Sequence, residues 1–320
     1  MAKSSTHNAL LALLIFSAVL LLGGTAPGAT KKRPPSKPAA SKPAPTPTPA
    51  PLAPGELPLA AKSAILLDAK TGDVLYEKAP DEMQYPASAT KILTALLVLE
   101  QGDLDKRVII QPEDTKVEPS ALEFKPGQEY TRRHLLFALL LKSANDVALA
   151  LARDNAGSVT AFAEKMNMRA EALGATASHF TNPHGLHNPH HFTTARDLAL
   201  IARVAMQQPL FREIVATPEI GMARGDEWVV LKNHNKLLAM LPGCIGVKTG
   251  YTHPAQQVLV SSAIRAGREA ISVVMHSDKP GIWNDSKTLL EHAFEKLGAP
   301  AAAAPAQGTT PADAGATDGK

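Results

Sequence analysis

Tyr85-Pro86-Ala87-Ser88-Ala89-Thr90-Lys91 leads directly into the apolar run Ile92-Leu93-Thr94-Ala95-Leu96-Leu97-Val98-Leu99. Pro86 and Ser88 are helix-start residues, and the run behind them has the content of a buried helix. Residues three apart share a helix face, so the spacing predicts that Ser88 and Lys91 project side by side from the first turn. The amine then lies at the edge of a core able to desolvate it. There it can lose its proton near neutral pH and serve as a base for the hydroxyl. A lone S-x-x-K carries little weight, because a helix-start Ser followed by an unrelated surface Lys has the same spacing. The rest of the chain decides.

Upstream, residues 1–29 read as an export signal: Lys3, then an apolar stretch from Ala9 to Leu22 broken only by Ser17, then small residues. No clean cleavage site stands out beside Pro27, so the alternative is an uncleaved N-terminal membrane anchor. Residues 30–56 are rich in Pro, Ala, Lys and Thr and read as an extended polyproline spacer. Residues 57–297 carry the patterning of one folded domain. From 298 to 320 the chain is Ala, Pro, Thr, Gly and Asp, the composition of a disordered tail.

Within the domain, Ala64–Asp68 and Val74–Glu77 read as two strands joined by the turn Ala69-Lys70-Thr71-Gly72-Asp73. Helices are expected over 131–141, 147–153, 159–173 and 195–207, the last capped by Thr193 and Thr194. Short strands are expected at 107–110 and 227–232. A hairpin of 257–263 and 270–275, turning at Arg265-Ala266-Gly267, precedes a closing helix over 284–297. Strands at both ends with helices clustered between them predict an α+β fold on an antiparallel sheet.

Of the 320 residues, 45% are hydrophobic and 20% charged, as in ordinary globular proteins. The formal charge of +3 misleads. Residues 1–54 hold six of the 33 Lys and Arg and no acidic residue, which leaves 27 basic against 30 acidic in the remainder. A remainder of net negative charge argues against nucleic acid as a partner. A single cysteine, Cys244, excludes an intramolecular disulfide and a multi-thiolate zinc site.

Three motifs stand in order along the chain. Ser88-x-x-Lys91 comes first, Ser143-Ala144-Asn145 follows at a helix junction, and Lys248-Thr249-Gly250-Tyr251 lies ahead of the last hairpin. An S-x-x-K with S-x-N and K-T-G in that order is the motif set of penicillin-binding proteins and class A β-lactamases. Lys70-Thr71-Gly72 is a decoy: it precedes the Ser and occupies a tight turn that needs the glycine for its backbone. Gly250 instead reads as a position where a substrate backbone approaches closely.

From about Ala61 to Leu297 the chain resembles the low-molecular-weight penicillin-binding proteins that act as serine-type D-alanyl-D-alanine carboxypeptidases. Asn182-Pro183-His184-Gly185-Leu186, Thr193-Thr194-Ala195-Arg196-Asp197-Leu198 and Gly246 to Thr252 belong to the likeness as much as the three motifs. The resemblance implies a β-lactamase/transpeptidase-like fold, a five-stranded antiparallel sheet flanked by helices on both faces. It implies Ser88 as nucleophile, Lys91 as its base, and Ser143 as proton carrier to the leaving amine. Asn145 would hold the substrate amide, and Lys248 and Thr249 its terminal carboxylate. Lys248 would also disfavour a proton on Lys91, and the N–H groups of Ser88 and Tyr251 would form the oxyanion hole. The implied partners are peptidoglycan stem peptides and β-lactams as covalent inhibitors, in the periplasm or on the outer face of the inner membrane.

No metal or other cofactor is implied. The histidines of 184–191 have no carboxylate or thiolate among them and read as a hydrogen-bonded loop that could border the cleft. Where the family commonly has an Ala-Gly pair, this chain has Ala255-Gln256-Gln257. The leading expectation is removal of a terminal D-alanine through an acyl-enzyme. The alternatives are a DD-endopeptidase cutting cross-links with the same groups, a β-lactamase, and a non-catalytic cell-wall-binding module.

Overall fold

The computed structural model describes residues 55–300. The readings of residues 1–29, of the spacer up to residue 54 and of the tail beyond residue 300 lie outside the described residues. In chain order the elements are β1 (Ser63–Asp68), β2 (Val74–Lys78), α1 (Lys91–Gln101), β3 (Arg107–Ile109), β4 (Glu129–Thr131), α2 (Arg132–Leu141), α3 (Asn145–Ala156) and α4 (Val159–Ala172). They continue as α5 (Ala195–Ala205), α6 (Pro209–Ala216), β5 (Glu219–Arg224), β6 (Glu227–Lys232), α7 (Leu237–Met240), β7 (Cys244–Thr252), β8 (Gln256–Arg265), β9 (Arg268–Ser277) and α8 (Gly281–Lys296). A single 3-10 turn, Ala87–Thr90, leads into α1.

The main sheet has the order β2-β1-β9-β8-β7, every neighbour antiparallel. Its central strands are apolar without alternation because both faces are covered. On β1, Ile65 and Leu67 join the core shared with α1, α2, α3 and α5, whereas Ala64 and Leu66 join the core under α8. Strands β8 and β9 divide the same way: Val260 and Val273 face the helical bulk, Leu259 and Val274 face α8. The five-stranded antiparallel sheet with helices on both faces agrees with the sequence reading.

Local signals set the helix ends. Thr131, Ser158 and Thr194 each accept a backbone N–H three residues on, from His134, Ala161 and Asp197. Such caps are typically worth about 1 kcal/mol. Thr193 does not cap α5: its backbone pairs with Gln84 and its hydroxyl meets that of Ser178. Ser88 does not cap α1 either, and the helix opens through the 3-10 turn with no side-chain cap.

The β7 strand, α6 and the β5–β6 pairing partner were missed by pattern reading. Lys248-Thr249-Gly250 lies within β7, so the motif is itself the edge strand rather than a loop ahead of one.

Asp285 fastens the entry of the domain to its last helix. Buried at 2% exposure, it accepts the N–H groups of Ala60 and Ala61, both at 2.9 Å, and the Ser277 hydroxyl at 2.8 Å. Asp285→Ala strands those donors. Urea unfolding should show a loss of about 3 kcal/mol with an unchanged slope.

Candidate active site

Three separate elements converge on the Lys91 amine. The side chain is fully buried, and Nζ lies 3.2 Å from Ser88 Oγ, 2.7 Å from Asn145 Oδ1 and 2.7 Å from the His184 carbonyl. The Asn145 amide is oriented by its own Nδ2, which donates to the Pro119 carbonyl. Its Oδ1 and the His184 carbonyl can therefore only accept. A neutral amine has two N–H groups and one lone pair. With both N–H groups committed to those oxygens, the lone pair faces Ser88, the one neighbour with a proton to give. Burial first, and the Lys248 charge second, hold Lys91 well below the ordinary lysine range, against a smaller opposing pull from Asp146.

Lys248, equally buried, donates to Ser143 Oγ at 3.0 Å and to the Thr249 carbonyl at 2.9 Å. Desolvation brings its pKa down to about 7. Ser143 has φ +60°, a left-handed backbone that a non-glycine residue adopts only when its surroundings enforce it. That conformation ends α2, starts α3 and turns the hydroxyl toward Lys248.

A cleft of about 320 Å³ opens over Ser88. Ser143, Thr249, Gly250 and Tyr251 line it, together with Pro119, Ser120, His234, Gln257 and Trp283. The sequence-predicted residues thus fall into two groups. Ser88, Ser143, Thr249, Gly250 and Tyr251 face the cleft, while Lys91, Asn145 and Lys248 lie buried behind it. Gly250 has a different reason from the one the motif suggested. A Cβ there would meet Ser88 N at 2.9 Å and Ala89 N at 3.1 Å, so the glycine admits the turn that carries the nucleophile.

Pattern reading gave no role to three further features. The first is Asp146, 2% exposed, which accepts the N–H groups of Leu122 and Val147, both at 2.9 Å. Burial raises its carboxyl. With Asn145 N donating to the Ser120 carbonyl at 2.8 Å, Asp146 fixes the strip through which Pro119 and Ser120 line the cleft.

The second is the histidine-rich loop, which buttresses the nucleophile turn from behind instead of bordering the cleft. His191 Nδ1 accepts the Thr181 N–H at 3.0 Å, so its proton is on Nε2, which donates to Thr90 Oγ1 at 2.8 Å. Thr90 passes the chain on to the Ala87 carbonyl at 2.8 Å. Both His184 and His191 are held low, to about 3, mainly by burial. Asn182 accepts the Gly185 N–H at 2.7 Å and donates to the Leu186 carbonyl at 3.0 Å, which fixes the His184 carbonyl under Lys91.

The third is Gln256, which sits at φ +54° as the first residue of β8, directly after the β7–β8 turn. This is the place where the resemblance led one to expect a glycine, and the left-handed backbone is kept without one.

Comparison with known proteins agrees with this geometry. The sequence model of a family described as D-alanyl-D-alanine carboxypeptidase matches residues 50–279. A D-alanyl-D-alanine carboxypeptidase of Mycobacterium tuberculosis is 38% identical over 240 residues, covering 73% of this chain and 82% of that enzyme. A D-alanyl-D-alanine endopeptidase of Pseudomonas aeruginosa is 33% identical, covering 63% and 66%. The crystal structure of the Streptomyces K15 DD-transpeptidase superposes with a TM-score of 0.72 at 33% identity, covering 75% of this chain and 99% of that one.

Gly185 tests the loop behind the nucleophile. A Cβ on it would collide with the Ala87 carbonyl oxygen, whereas Gly157, also left-handed at φ +80°, has open space around it. Gly157→Ala should cost about 1–2 kcal/mol, the price of the backbone alone. Gly185→Ala should cost clearly more in the same denaturant titration. At a temperature where it remains folded, it should also slow the reaction of Ser88 with a fluorescent penicillin at least tenfold.

Proposed function

The chain belongs to the D-alanyl-D-alanine carboxypeptidase family of serine peptidases, and we propose that it removes the terminal D-alanine from peptidoglycan stem peptides through an acyl-enzyme on Ser88. The observation that carries this is the Lys91 amine, buried, with both N–H groups spent on fixed carbonyls and its lone pair left for Ser88.

The steps follow from the groups at hand. Lys91 takes the Ser88 proton as Oγ attacks the carbonyl carbon of the penultimate D-alanine. The N–H groups of Ser88 and Tyr251 hold the oxyanion, a donor of this kind being worth about 2.7–4 kcal/mol of barrier. The C–N bond then breaks. The leaving amine takes a proton from Ser143, which is replenished from the protonated lysines. Water adds to the ester with Lys91 again as base, and Ser88 recovers its proton as the shortened peptide leaves. Asn145 has a second N–H free to hold the substrate carbonyl, and Lys248 with Thr249 receives the terminal carboxylate. Gly250 keeps β7 against the nucleophile turn.

β-Lactams would acylate Ser88 in the same way and act as covalent inhibitors. The substrate lies outside the cytoplasmic membrane. This agrees with reading residues 1–29 as an export signal or anchor, with a periplasmic or outer-face location, and with a role in cell-wall biosynthesis and cell shape. A DD-endopeptidase is the second reading, because one relative of similar identity carries that name.

Release of D-alanine from a pentapeptide and cleavage of a cross-linked dimer, assayed side by side, test both readings. Pentapeptide turnover is expected. Cleavage of the dimer alone would select the endopeptidase. Ser88→Ala should lower either rate by at least about a thousandfold, and a variant that keeps the wild-type rate sinks the assignment.

The pH profile is a separate check. Lys91 works as the free amine, so kcat/KM should rise with pH as it loses its proton. Lys248 receives an anion best as the ammonium, so the profile should fall again above about 7.

A further inference from the structure

His234 is the one imidazole in the cleft, and nothing in the reaction above uses it. It is exposed, and it lines the same cavity as Ser143 and Thr249. Two other histidines have ring nitrogens tied down: the buried His191 at both, and the half-buried His184 at Nδ1, which accepts the Leu186 N–H at 3.1 Å. Among the described residues, no hydrogen-bond partner is found for either ring nitrogen of His234.

Its backbone, in contrast, is held from both sides. Asn233 donates from Nδ2 to the carbonyls of Val215 at 3.1 Å and Thr217 at 3.0 Å. Asn235 accepts the Leu237 N–H at 3.0 Å, and its own N–H donates to Asn233 Oδ1 at 2.9 Å. Two anchored neighbours thus present a ring with no hydrogen-bond partner among the described residues, on the cleft that Thr249 also lines.

We propose that the imidazole of His234 is a further contact for the terminal carboxylate of the peptide, holding it as the imidazolium beside Lys248 and Thr249. The inference rests on the carboxypeptidase reading and adds to it a substrate-positioning residue.

The electrostatics give the direction. The charges acting on His234 are Lys248, from β7, and Lys142, from the end of α2, and both are cations. Partial desolvation first, and these two charges after it, hold the free imidazole below its ordinary value, to about 4, so without ligand it is neutral at pH 7. A carboxylate brought among these groups offsets the repulsion and favours the charged ring. Binding then takes up a proton, and affinity rises as pH falls from above the pKa of the complex to below it. Lys248 gains in the same sense, but around pH 7 and above. The interval from pH 7 to pH 5 therefore reports mainly on His234.

The test uses the full chain with Ser88→Ala, which binds peptide without turnover. Ring proton shifts of His234 are followed by NMR against pH, free and with a saturating peptide ending in D-Ala-D-Ala. The same is done with that peptide as its C-terminal carboxamide. The acid peptide should raise the His234 pKa by about two units, the shift that a tenfold gain in affinity at pH 5 requires, and the amide should not. In parallel, affinity for the acid peptide should rise from pH 7 to pH 5 by about tenfold more than in the Ser88→Ala/His234→Gln double variant. No rise with the acid peptide, or an equal rise with both, overturns the proposal, and the NMR arm does not depend on the double variant folding. D-alanine release by the wild type, measured alongside, separates the two levels. Release with an unmoved His234 defeats this inference alone, and no release defeats the carboxypeptidase reading beneath it.

Discussion

The site depends on one constraint: Lys91 has two N–H groups and two fixed carbonyl acceptors, so it is complete only as a free amine. An ammonium there would have to be satisfied by the same two oxygens and the Ser88 hydroxyl, with no carboxylate among the described residues in contact. A buried cation without a partner costs several kcal/mol, and deprotonation removes that cost. The acceptors come from α3 and from the loop before α5, and the hydroxyl from the turn before α1. Their meeting requires the helical layer to be packed as a unit on the sheet.

That packing supports backbone conformations that would not persist alone. Ala87 at φ +46° and Ser143 at φ +60° flank the buried amines, and each is locked by neighbours. Ala87 has its carbonyl bonded by Thr90, with Gly185 pressed against it where no side chain fits. Ser143 is followed by Asn145 and Asp146, whose bonds to the 119–122 strip prevent the α2–α3 junction from relaxing. Strain of this kind costs on the order of 1–3 kcal/mol per residue. It is sustained by the doubly covered sheet, whose stability comes from apolar burial far from the chemistry.

Much of this was legible in the sequence for a physical reason. The Ser88–Lys91 relation is local, fixed by helical spacing, and the sheet is announced by apolar runs in β1, β8 and β9. The rest was illegible because it arises from contacts distant in sequence. Nothing in Lys248-Thr249-Gly250 signals a strand, since its polar residues point into a site and not into a core. The function of Gly250 became visible only when the Ser88 turn was found against it. The histidine-rich loop suggested ligands, whereas its contribution to the amine is a main-chain carbonyl. A backbone atom has no residue type, so no motif can announce it.

The two causes that keep Lys91 neutral can now be ranked. The sequence suggested both desolvation at the core edge and repulsion by Lys248 as reasons for a free Lys91; both act, and burial is the larger cause. The order matters for the proposed reaction. At a pKa of about 7, Lys248 is charged only part of the time near neutrality. Once a substrate carboxylate sits beside it, the pair is close to neutral, and its repulsion of Lys91 fades at the moment the base is needed. A base kept free mainly by a partner's charge would be weakened by its own substrate. Lys91 is kept free mainly by being dry, with its hydrogen bonds already made, and a carboxylate in the cleft leaves both of those conditions in place.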